Sequence, residues 1–118
     1  MNPGLYDSEL KIMLLIWGSE PISAKEVALL ANKLFGWNKN TTYTVIKKAE
    51  AKGYLRREDP GYLCHSLISK RDVQKRETKA LLQKLFGGSA TALLSLLSEE
   101  GLIKKEDLAA WIHTNAPV

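Results

Sequence analysis

The sequence predicts a mainly α-helical protein with one small β-hairpin, and two observations support this fold class. Up to Lys52, apolar residues recur at helical spacing in three segments that glycine and proline interrupt. Beyond them, residues 54–58 and 62–66 are rich in aromatic and aliphatic side chains and flank a Pro-Gly turn, which is typical of a hairpin. Three helices followed by a hairpin is the order of elements in a winged helix-turn-helix.

Capping residues set the expected limits of the first two helices. Asp7 or Ser8 can cap the first helix, which extends to about Trp17. Ser23 is followed three residues later by Glu26, the spacing of a capping box, so the second helix is expected to begin there. The side chains expected to face the core are Leu10, Met13, Leu14 and Trp17 in the first helix and Val27, Leu30, Ala31 and Leu34 in the second.

A third helix is expected from Asn38 to Lys52, between a stop at Gly36 and a further glycine, Gly53, in the position that ends many helices. Its inward stripe at i, i+3, i+4 and i+7 consists of Thr42, Val45, Ile46 and Ala49. The other face carries hydroxyl, amide, aromatic and ammonium groups, which suit the base edges and phosphates of a DNA groove. These outward residues are Asn40, Thr41, Tyr43, Thr44, Lys47 and Lys48. A solvated helix face is the alternative interpretation of this pattern.

Positive charge is concentrated around this helix. The whole chain has a net charge of +4, whereas residues 32–57 contain seven Lys or Arg and one acid, Glu50. Residues 80–118 contain three Lys and four acids. A basic segment beside a nearly neutral one is typical of a domain that binds a polyanion. The residues expected to contact phosphates are Lys47, Lys48, Lys52, Arg56 and Arg57.

The C-terminal part of the chain is expected to be helical and to mediate dimerisation. A long charged helix from Ser69 to about Phe86 is followed by two shorter helical segments. The apolar residues of such short segments cannot be buried within one copy, so a second copy of the chain is the expected partner. We therefore expect a winged-helix DNA-binding domain over residues 1–68 and a helical dimerisation region over residues 69–118. The residues expected in the dimer contact are Leu82, Leu85, Phe86, Leu93, Leu94, Leu97, Leu108 and Trp111.

Other function classes lack their motifs in this sequence. Cys64 is the only cysteine, so no intrachain disulfide can form, and one cysteine with two histidines is too few for a structural zinc site. Cys64 and His65 are adjacent in a predicted strand, so they point to opposite faces and cannot act on one centre. No glycine-rich phosphate loop, acid pair or nucleophile motif is present, so no enzyme activity, metal or cofactor is expected. The apolar run 12–17 is too short to span a membrane and lacks the flanks of a signal peptide, so a cytoplasmic protein is expected.

Five segments of the sequence occur in a characteristic order and spacing. They are ELKIMLLIW, PISAKEV, GWNKNTTYTVIKKAEAKGYL, LISKRDVQKRE and LLQKLFGGSATALLSLLSEEG. Together they resemble the penicillinase-repressor (BlaI/MecI) family of bacterial transcription repressors over residues 8–113. The resemblance implies a homodimer in which an N-terminal winged helix binds operator DNA and C-terminal helices interlock. It also implies a palindromic double-stranded DNA operator of the TACA/TGTA type.

The resemblance implies roles for individual residues as well. By position, the base- and phosphate-contacting face falls on Asn40, Thr41, Tyr43, Thr44 and Lys48, and the phosphate-binding wing falls on Arg56 and Arg57. In the antibiotic-responsive members a sensor-linked protease cuts an Asn–Phe bond, and the matching position here is Ser95-Leu96. Two departures stand out: Tyr43 occupies a position where Lys or Arg is frequent, and the wing tip is Asp59-Pro60-Gly61 rather than basic.

Two other functions fit the same sequence. A winged helix can serve as a protein-interaction module, and a steep salt dependence of binding to duplex DNA would distinguish a DNA-binding protein from it. The second alternative is an effector- or redox-responsive regulator, in which a small molecule or oxidation of Cys64 acts on the dimer. A thermal shift with candidate ligands, or a mass change at Cys64, would favour that alternative.

Overall fold

A computed structural model describes residues 5–115 of the chain. Its elements are α1 Asp7–Ser19, β1 Ile22–Ser23, α2 Ala24–Phe35, α3 Lys39–Ala51, β2 Leu55–Glu58, β3 Leu63–Ser66, α4 Lys70–Phe86, α5 Ala90–Glu99 and α6 Lys105–Asn115. This order confirms the predicted fold class, a mainly helical chain with a winged helix-turn-helix. The chain divides into two compact units, and the division falls between Val73 and Gln74, within α4. The domain boundary proposed from the sequence, at residue 68, stays a prediction.

The first helix differs from the sequence prediction in its cap and in its buried face. Tyr6 is the N-cap, and the Glu9 side chain accepts a hydrogen bond from the Tyr6 backbone N–H at 3.1 Å, so the prediction of Asp7 or Ser8 as cap was wrong. The buried residues of α1 are Glu9, Ile12, Met13 and Ile16. Leu14, predicted to face the core, is 46% exposed. Because residues 12–17 are apolar on every side of the helix, their spacing does not determine which side faces the core.

The second helix begins and ends where the sequence predicts. Ser23 Oγ accepts a hydrogen bond from the Glu26 backbone N–H at 3.1 Å, and Gly36 ends the helix with a left-handed φ of +72°. Leu34, predicted to face the core, is instead 58% exposed. The buried residues of α2 are Ala24, Val27, Ala28 and Ala31. Three of these four are alanines, whose small side chains let backbones approach closely, and the bulkier leucines lie towards the surface.

The third helix confirms the predicted stripe. Asn38 is its N-cap, and Asn38 Oδ1 accepts a hydrogen bond from the Thr41 backbone N–H at 2.8 Å. Gly53 follows its C-terminal end with a φ of +82°, which a residue with a Cβ atom rarely adopts. The buried residues of α3 are the four predicted ones, Thr42, Val45, Ile46 and Ala49. The opposite side of α3 therefore faces outward.

The hairpin belongs to a three-stranded antiparallel sheet with the order β1-β3-β2. Strands β2 and β3 pair as predicted, with Arg57 opposite Cys64. Strand β1 was not predicted; it is only two residues long, and Ile22 pairs with Cys64 on the other edge of β3. The Trp17 indole donates a hydrogen bond to the Ile68 carbonyl at 2.9 Å, which ties the end of α1 to the segment after the sheet. Trp17 therefore has a structural role.

The second unit contains the C-terminal part of α4 together with α5 and α6. Ser89 caps α5 by accepting a hydrogen bond from the Ala92 backbone N–H at 3.1 Å. Among the described residues of α5 and α6, none is buried. Within residues 5–115, no single helix is both long and apolar enough to cross a membrane; only α4 and α5 taken together have the length and composition, and they meet at a bend of 83°.

Candidate nucleic-acid interface

The outward face of α3 brings together the residues that the sequence analysis selected. Because Val45, Ile46 and Ala49 fix the buried side, helical geometry places the selected residues on the solvent side. Asn40, Thr41, Thr44, Lys47 and Lys48 are exposed, and Tyr43 is half-buried. We call this set, with Tyr43 included, the α3 outer face.

Polar groups on the α3 outer face are available to a ligand. Thr44 Oγ1 donates a hydrogen bond to the Asn40 carbonyl at 2.9 Å, and the lone pairs of this hydroxyl remain open as acceptors. The Asn40 and Thr41 side chains make no hydrogen bond with other residues in the described part of the chain. An amide and two hydroxyls thus project from the first half of the helix, the end that commonly contacts base edges in helix-turn-helix proteins.

Three lysines surround these polar groups. Lys47 and Lys48 are exposed, and across residues 5–115 neither forms an ion pair. Lys39, which the sequence analysis did not select, begins α3, and its Nζ lies 5.8 Å from the centre of the Tyr43 ring. The spacing of Lys39 and Tyr43 (i, i+4) places them on one helix face and was the signal available in the sequence.

Lys52 differs from the other lysines of this segment because it is paired within the protein, which argues against the phosphate contact expected from the sequence. Its Nζ lies 2.8 Å from each carboxylate oxygen of Glu9 and 3.8 Å from the centre of the Tyr6 ring. The hydrogen bond with Glu9 is the main reason that the pKa of Lys52 is raised. Because Glu9 is completely buried, its charge requires this ammonium partner. Lys52 therefore links α1 to the end of α3.

The two wing arginines lie in different surroundings. Arg56 and Arg57 are adjacent in β2, so their side chains point to opposite faces of the sheet. Arg56 points to the same face of the sheet as Glu58, and the Glu58 carboxylate lies 3.2 Å from His65 Nε2. In the part of the chain that the structure describes, Arg56 forms no ion pair.

Arg57 is held by Asp59 and Tyr62. Its Nε lies 3.1 Å from Asp59 Oδ1 and 3.0 Å from Oδ2. Its guanidinium carbon is 3.8 Å from the centre of the Tyr62 ring. The hydrogen bond with Asp59 is the main cause of a raised pKa of Arg57. Sequence reasoning missed Asp59 and Tyr62, and only the Arg-x-Asp spacing at the turn pointed to such a pair.

Tyr62 also contacts α3. Its ring meets that of Tyr43 edge-on, with ring centres 6.1 Å apart, and its hydroxyl donates to Glu50 Oε1 at 3.4 Å. Burial is the main reason that the pKa of Tyr62 is raised. The wing is therefore docked on α3 through Tyr62.

Cys64 is buried, and burial raises its pKa to about 11. A thiol that stays protonated inside the core is a poor nucleophile and a poor metal ligand. Over residues 5–115, no group of three or more His, Cys, Asp or Glu side chains is placed to hold a metal ion.

The residues predicted for dimerisation are accessible in the single chain. Leu85, Leu94 and Trp111 are exposed. The other five, Leu82, Phe86, Leu93, Leu97 and Leu108, are half-buried. A cavity of about 510 Å³ between α5 and α6 is lined by Leu94, Ile103, Asp107, Leu108 and Trp111. Ser95 and Leu96, the predicted cleavage position, are both exposed within α5.

The three-helix core, the β1-β3-β2 sheet and the basic α3 outer face define a winged-helix DNA-binding protein. Residues 5–113 match the penicillinase repressor family, and the chain belongs to that family. It is 29% identical over 102 residues to the penicillinase repressor of Staphylococcus aureus, covering 84% of this chain and 81% of that protein. It also resembles the solution structure of monomeric Bacillus licheniformis BlaI in complex with the blaP half-operator, with a TM-score of 0.53, 27% identity, and coverage of 61% of this chain and 90% of that one.

Proposed function

We propose that this protein is a transcriptional repressor that binds a palindromic operator in duplex DNA as a homodimer. The observation that carries the proposal is the α3 outer face, which presents an amide, two hydroxyls and unpaired lysines on the side opposite the buried residues Thr42, Val45, Ile46 and Ala49. A major groove about 12 Å wide admits such a helix. Membership of the penicillinase repressor family supports the same function, and so does the similarity to a BlaI bound to a half-operator.

Different residues have different roles in this proposal. Asn40 and Thr44 contact base edges, because amide and hydroxyl groups can both donate and accept hydrogen bonds there. Lys47 and Lys48 contact phosphates, which supply affinity and register but no direct sequence information. Thr41 and Tyr43 lie beside these groups and complete the contact surface.

Dimerisation follows from the small size of one recognition helix and from the apolar residues of the C-terminal helices. Two copies related by a two-fold axis contact two half-sites, whose centres lie about 34–36 Å apart or at a multiple of that distance. The family resemblance suggests half-sites of the TACA/TGTA type. The exposed Leu85, Leu94 and Trp111 are available to the second copy.

Duplex binding is tested by fluorescence anisotropy with a palindrome carrying TACA and TGTA half-sites and with a shuffled duplex of the same composition. We expect tighter binding to the palindrome and a linear fall of log affinity with log salt, with a slope of about −0.9 per phosphate contact. Equal binding to the two duplexes at moderate ionic strength would contradict sequence-specific repression. A flat salt dependence would favour the protein-interaction alternative.

Sequence readout is tested by Thr44→Val, which removes the hydroxyl and keeps the shape of the side chain. We expect the discrimination between operator variants at one base pair to fall by about 1–3 kcal/mol, while binding to the shuffled duplex is unchanged. Thr78→Val, at an exposed position of α4, is the matched control and should leave discrimination intact. If Thr44→Val discriminates like the unaltered chain, Thr44 does not contact a base.

We further propose that a sensor-linked protease releases the repressor by cutting between Ser95 and Leu96. Both residues are exposed, but their bond lies inside α5, so the helix must unwind locally before a protease can bind it. Mass spectrometry of the protein from its own cells, grown with and without penicillin, tests this route. A fragment ending at Ser95 is expected after exposure. An intact chain in cells where repression has been lifted would exclude cleavage as the release step.

A further inference from the structure

The wing carries an ion pair at the place where a phosphate contact is expected. Arg57 Nε approaches both carboxylate oxygens of Asp59, at 3.1 and 3.0 Å. Asp59 Oδ1 also accepts a hydrogen bond from the Tyr62 backbone N–H at 3.2 Å. The Asp59 carboxylate therefore binds the guanidinium and also closes the turn. The guanidinium itself lies on the Tyr62 ring.

This arrangement keeps Arg57 accessible but electrically compensated. The Arg57 side chain is 42% exposed and that of Asp59 is 58% exposed, so an anion from solvent can approach the pair. Phosphate and carboxylate oxygens both match the planar fork of a guanidinium, so the two groups can use the same N–H donors. A phosphate that binds Arg57 Nε must displace Asp59, which then lies unpaired beside the polyanion.

The pair is also close to the recognition helix. Tyr62, the ring under Arg57, packs edge-on against Tyr43 of the α3 outer face and bonds to Glu50 of the same helix. These contacts place Arg57 one aromatic ring away from Tyr43 of the α3 outer face. We therefore expect a duplex that contacts the α3 outer face to bring a phosphate within reach of Arg57.

We propose that Asp59 competes with a DNA phosphate for Arg57 and thereby limits the affinity of the wing for any duplex. This inference rests on the proposed function and adds a residue that regulates it. Because phosphate contacts carry no direct sequence information, the competition lowers operator and non-operator binding by the same factor. It also makes the salt dependence less steep than the number of exposed basic residues suggests.

The test is Asp59→Asn in the full-length chain. Asparagine keeps an oxygen that can accept the Tyr62 N–H and is favoured in turns, so the wing is expected to fold. With the charge removed, Arg57 can bind a phosphate. We therefore expect the salt slope, which is the slope of log affinity against log salt concentration, to become steeper by about one unit per wing. Binding to both the palindrome and the shuffled duplex should tighten by up to about fivefold per wing at moderate ionic strength. Circular dichroism and thermal unfolding check the fold of the variant.

The matched control is Glu58→Gln, which makes the same change of net charge one residue away. Glu58 contacts His65 and not Arg57, so its removal is expected to change affinity less and to leave the slope near that of the unaltered chain. A second control is Asp59→Asn in an Arg57→Gln background, where its effect should fall to that of Glu58→Gln. Arg57→Gln alone should weaken binding to the palindrome and to the shuffled duplex alike.

The outcomes separate this inference from the proposed function. If the unaltered chain binds no duplex, the proposed function fails and this inference fails with it. If the unaltered chain binds DNA but Asp59→Asn behaves like Glu58→Gln, or keeps its effect without Arg57, only this inference is overturned. An unchanged slope for Asp59→Asn would overturn it as well.

Discussion

Two lysines one helical turn apart, Lys48 and Lys52, illustrate how surroundings assign a role to a charged side chain. Lys48 is exposed on the α3 outer face. Lys52 is bound to the buried carboxylate of Glu9 and covers the Tyr6 ring. The first ammonium can release a counterion from DNA, whereas the second is already neutralised by the protein.

Lys48→Ala is expected to weaken binding to operator and shuffled duplex alike. Removing one phosphate contact in each half-site should make the slope of log affinity against log salt less steep by about one unit per half-site. A salt titration by anisotropy measures this. An unaltered slope would show that Lys48 does not contact a phosphate.

Lys52→Ala serves as the contrast to Lys48→Ala. It should leave the salt slope unchanged but lower the thermal unfolding temperature, because Glu9 would remain buried without a partner. The hydrogen bond with Glu9 raises the pKa of Lys52, so the stabilisation by this pair is complete below the ordinary pKa of 10.5. It is lost as the pH rises through the higher pKa of the folded chain.

Cys64 is expected to react slowly with iodoacetamide in the folded chain. Burial raises its pKa from 9.0 to about 11, so at pH 8 the thiolate fraction is roughly a hundredfold lower than in the unfolded chain. The unfolded chain loses the thiol proton at a lower pH than the folded chain does. The free energy of unfolding therefore falls progressively as the pH rises from 9.0 to about 11. Mass spectrometry after timed alkylation, with a urea-unfolded sample as control, measures the difference. Equal rates in the two samples would revive the redox-sensing alternative.

At the scale of elements, α3 is held at both ends and docked on one side. The Asn38 side chain caps its first turn. Gly53, with its left-handed backbone, and the Lys52–Glu9 pair fix its last turn. Tyr62 docks the wing on its flank. A helix held in this way can place Asn40 and Thr44 reproducibly against base edges.

Asn38→Ala is expected to lower the free energy of unfolding by about 1 kcal/mol, because the Thr41 N–H loses its side-chain acceptor. Urea unfolding followed by circular dichroism measures this change. Asn40→Ala is the matched control: it lies inside the same helix, caps nothing, and should leave stability equal or slightly higher, since alanine is the better helix former. Equal losses in the two variants would contradict the capping role.

At the scale of the whole molecule, the C-terminal helices have few buried residues of their own. Of the described residues in α4, α5 and α6, only Val73 is buried, whereas the first unit has a continuous core around Ile12, Ile46 and Tyr54. The first unit is therefore expected to fold alone, and the C-terminal helices are expected to gain most of their burial from a second copy.

A chain ending at Phe86 tests this division. It should unfold cooperatively, sediment as a monomer, and show an operator salt slope about half that of the full chain, because each molecule contacts one half-site. Affinity should fall strongly because the linked second site is lost. Sedimentation as a dimer would refute dimerisation through α5 and α6.

Most features fixed by neighbouring residues were predictable, although the cap of α1 was not. Ser23, Asn38 and Gly53 lie at helix ends as local capping rules predict, and the stripe of α3 alternates clearly with polar residues. The face of α1 was not predictable, because residues 12–17 are apolar on every side of that helix and its one buried charge, Glu9, has a partner 43 residues away. Strand β1 was missed for a similar reason, since two residues become a strand only when β3 lies beside them.

The amino-acid sequence alone determined the order of the helices and of the hairpin, the buried and outward faces of α3, and the family resemblance. Periodicity, capping and composition act over a few residues, so they can be evaluated along the chain. The tertiary structure decided which charges are available: it pairs Lys52 with Glu9, holds Arg57 on Tyr62 beside Asp59, and leaves Lys48 exposed. Whether a charge is compensated depends on the groups that folding brings within a few ångströms of it. The separation of two residues along the sequence does not show whether folding brings them together.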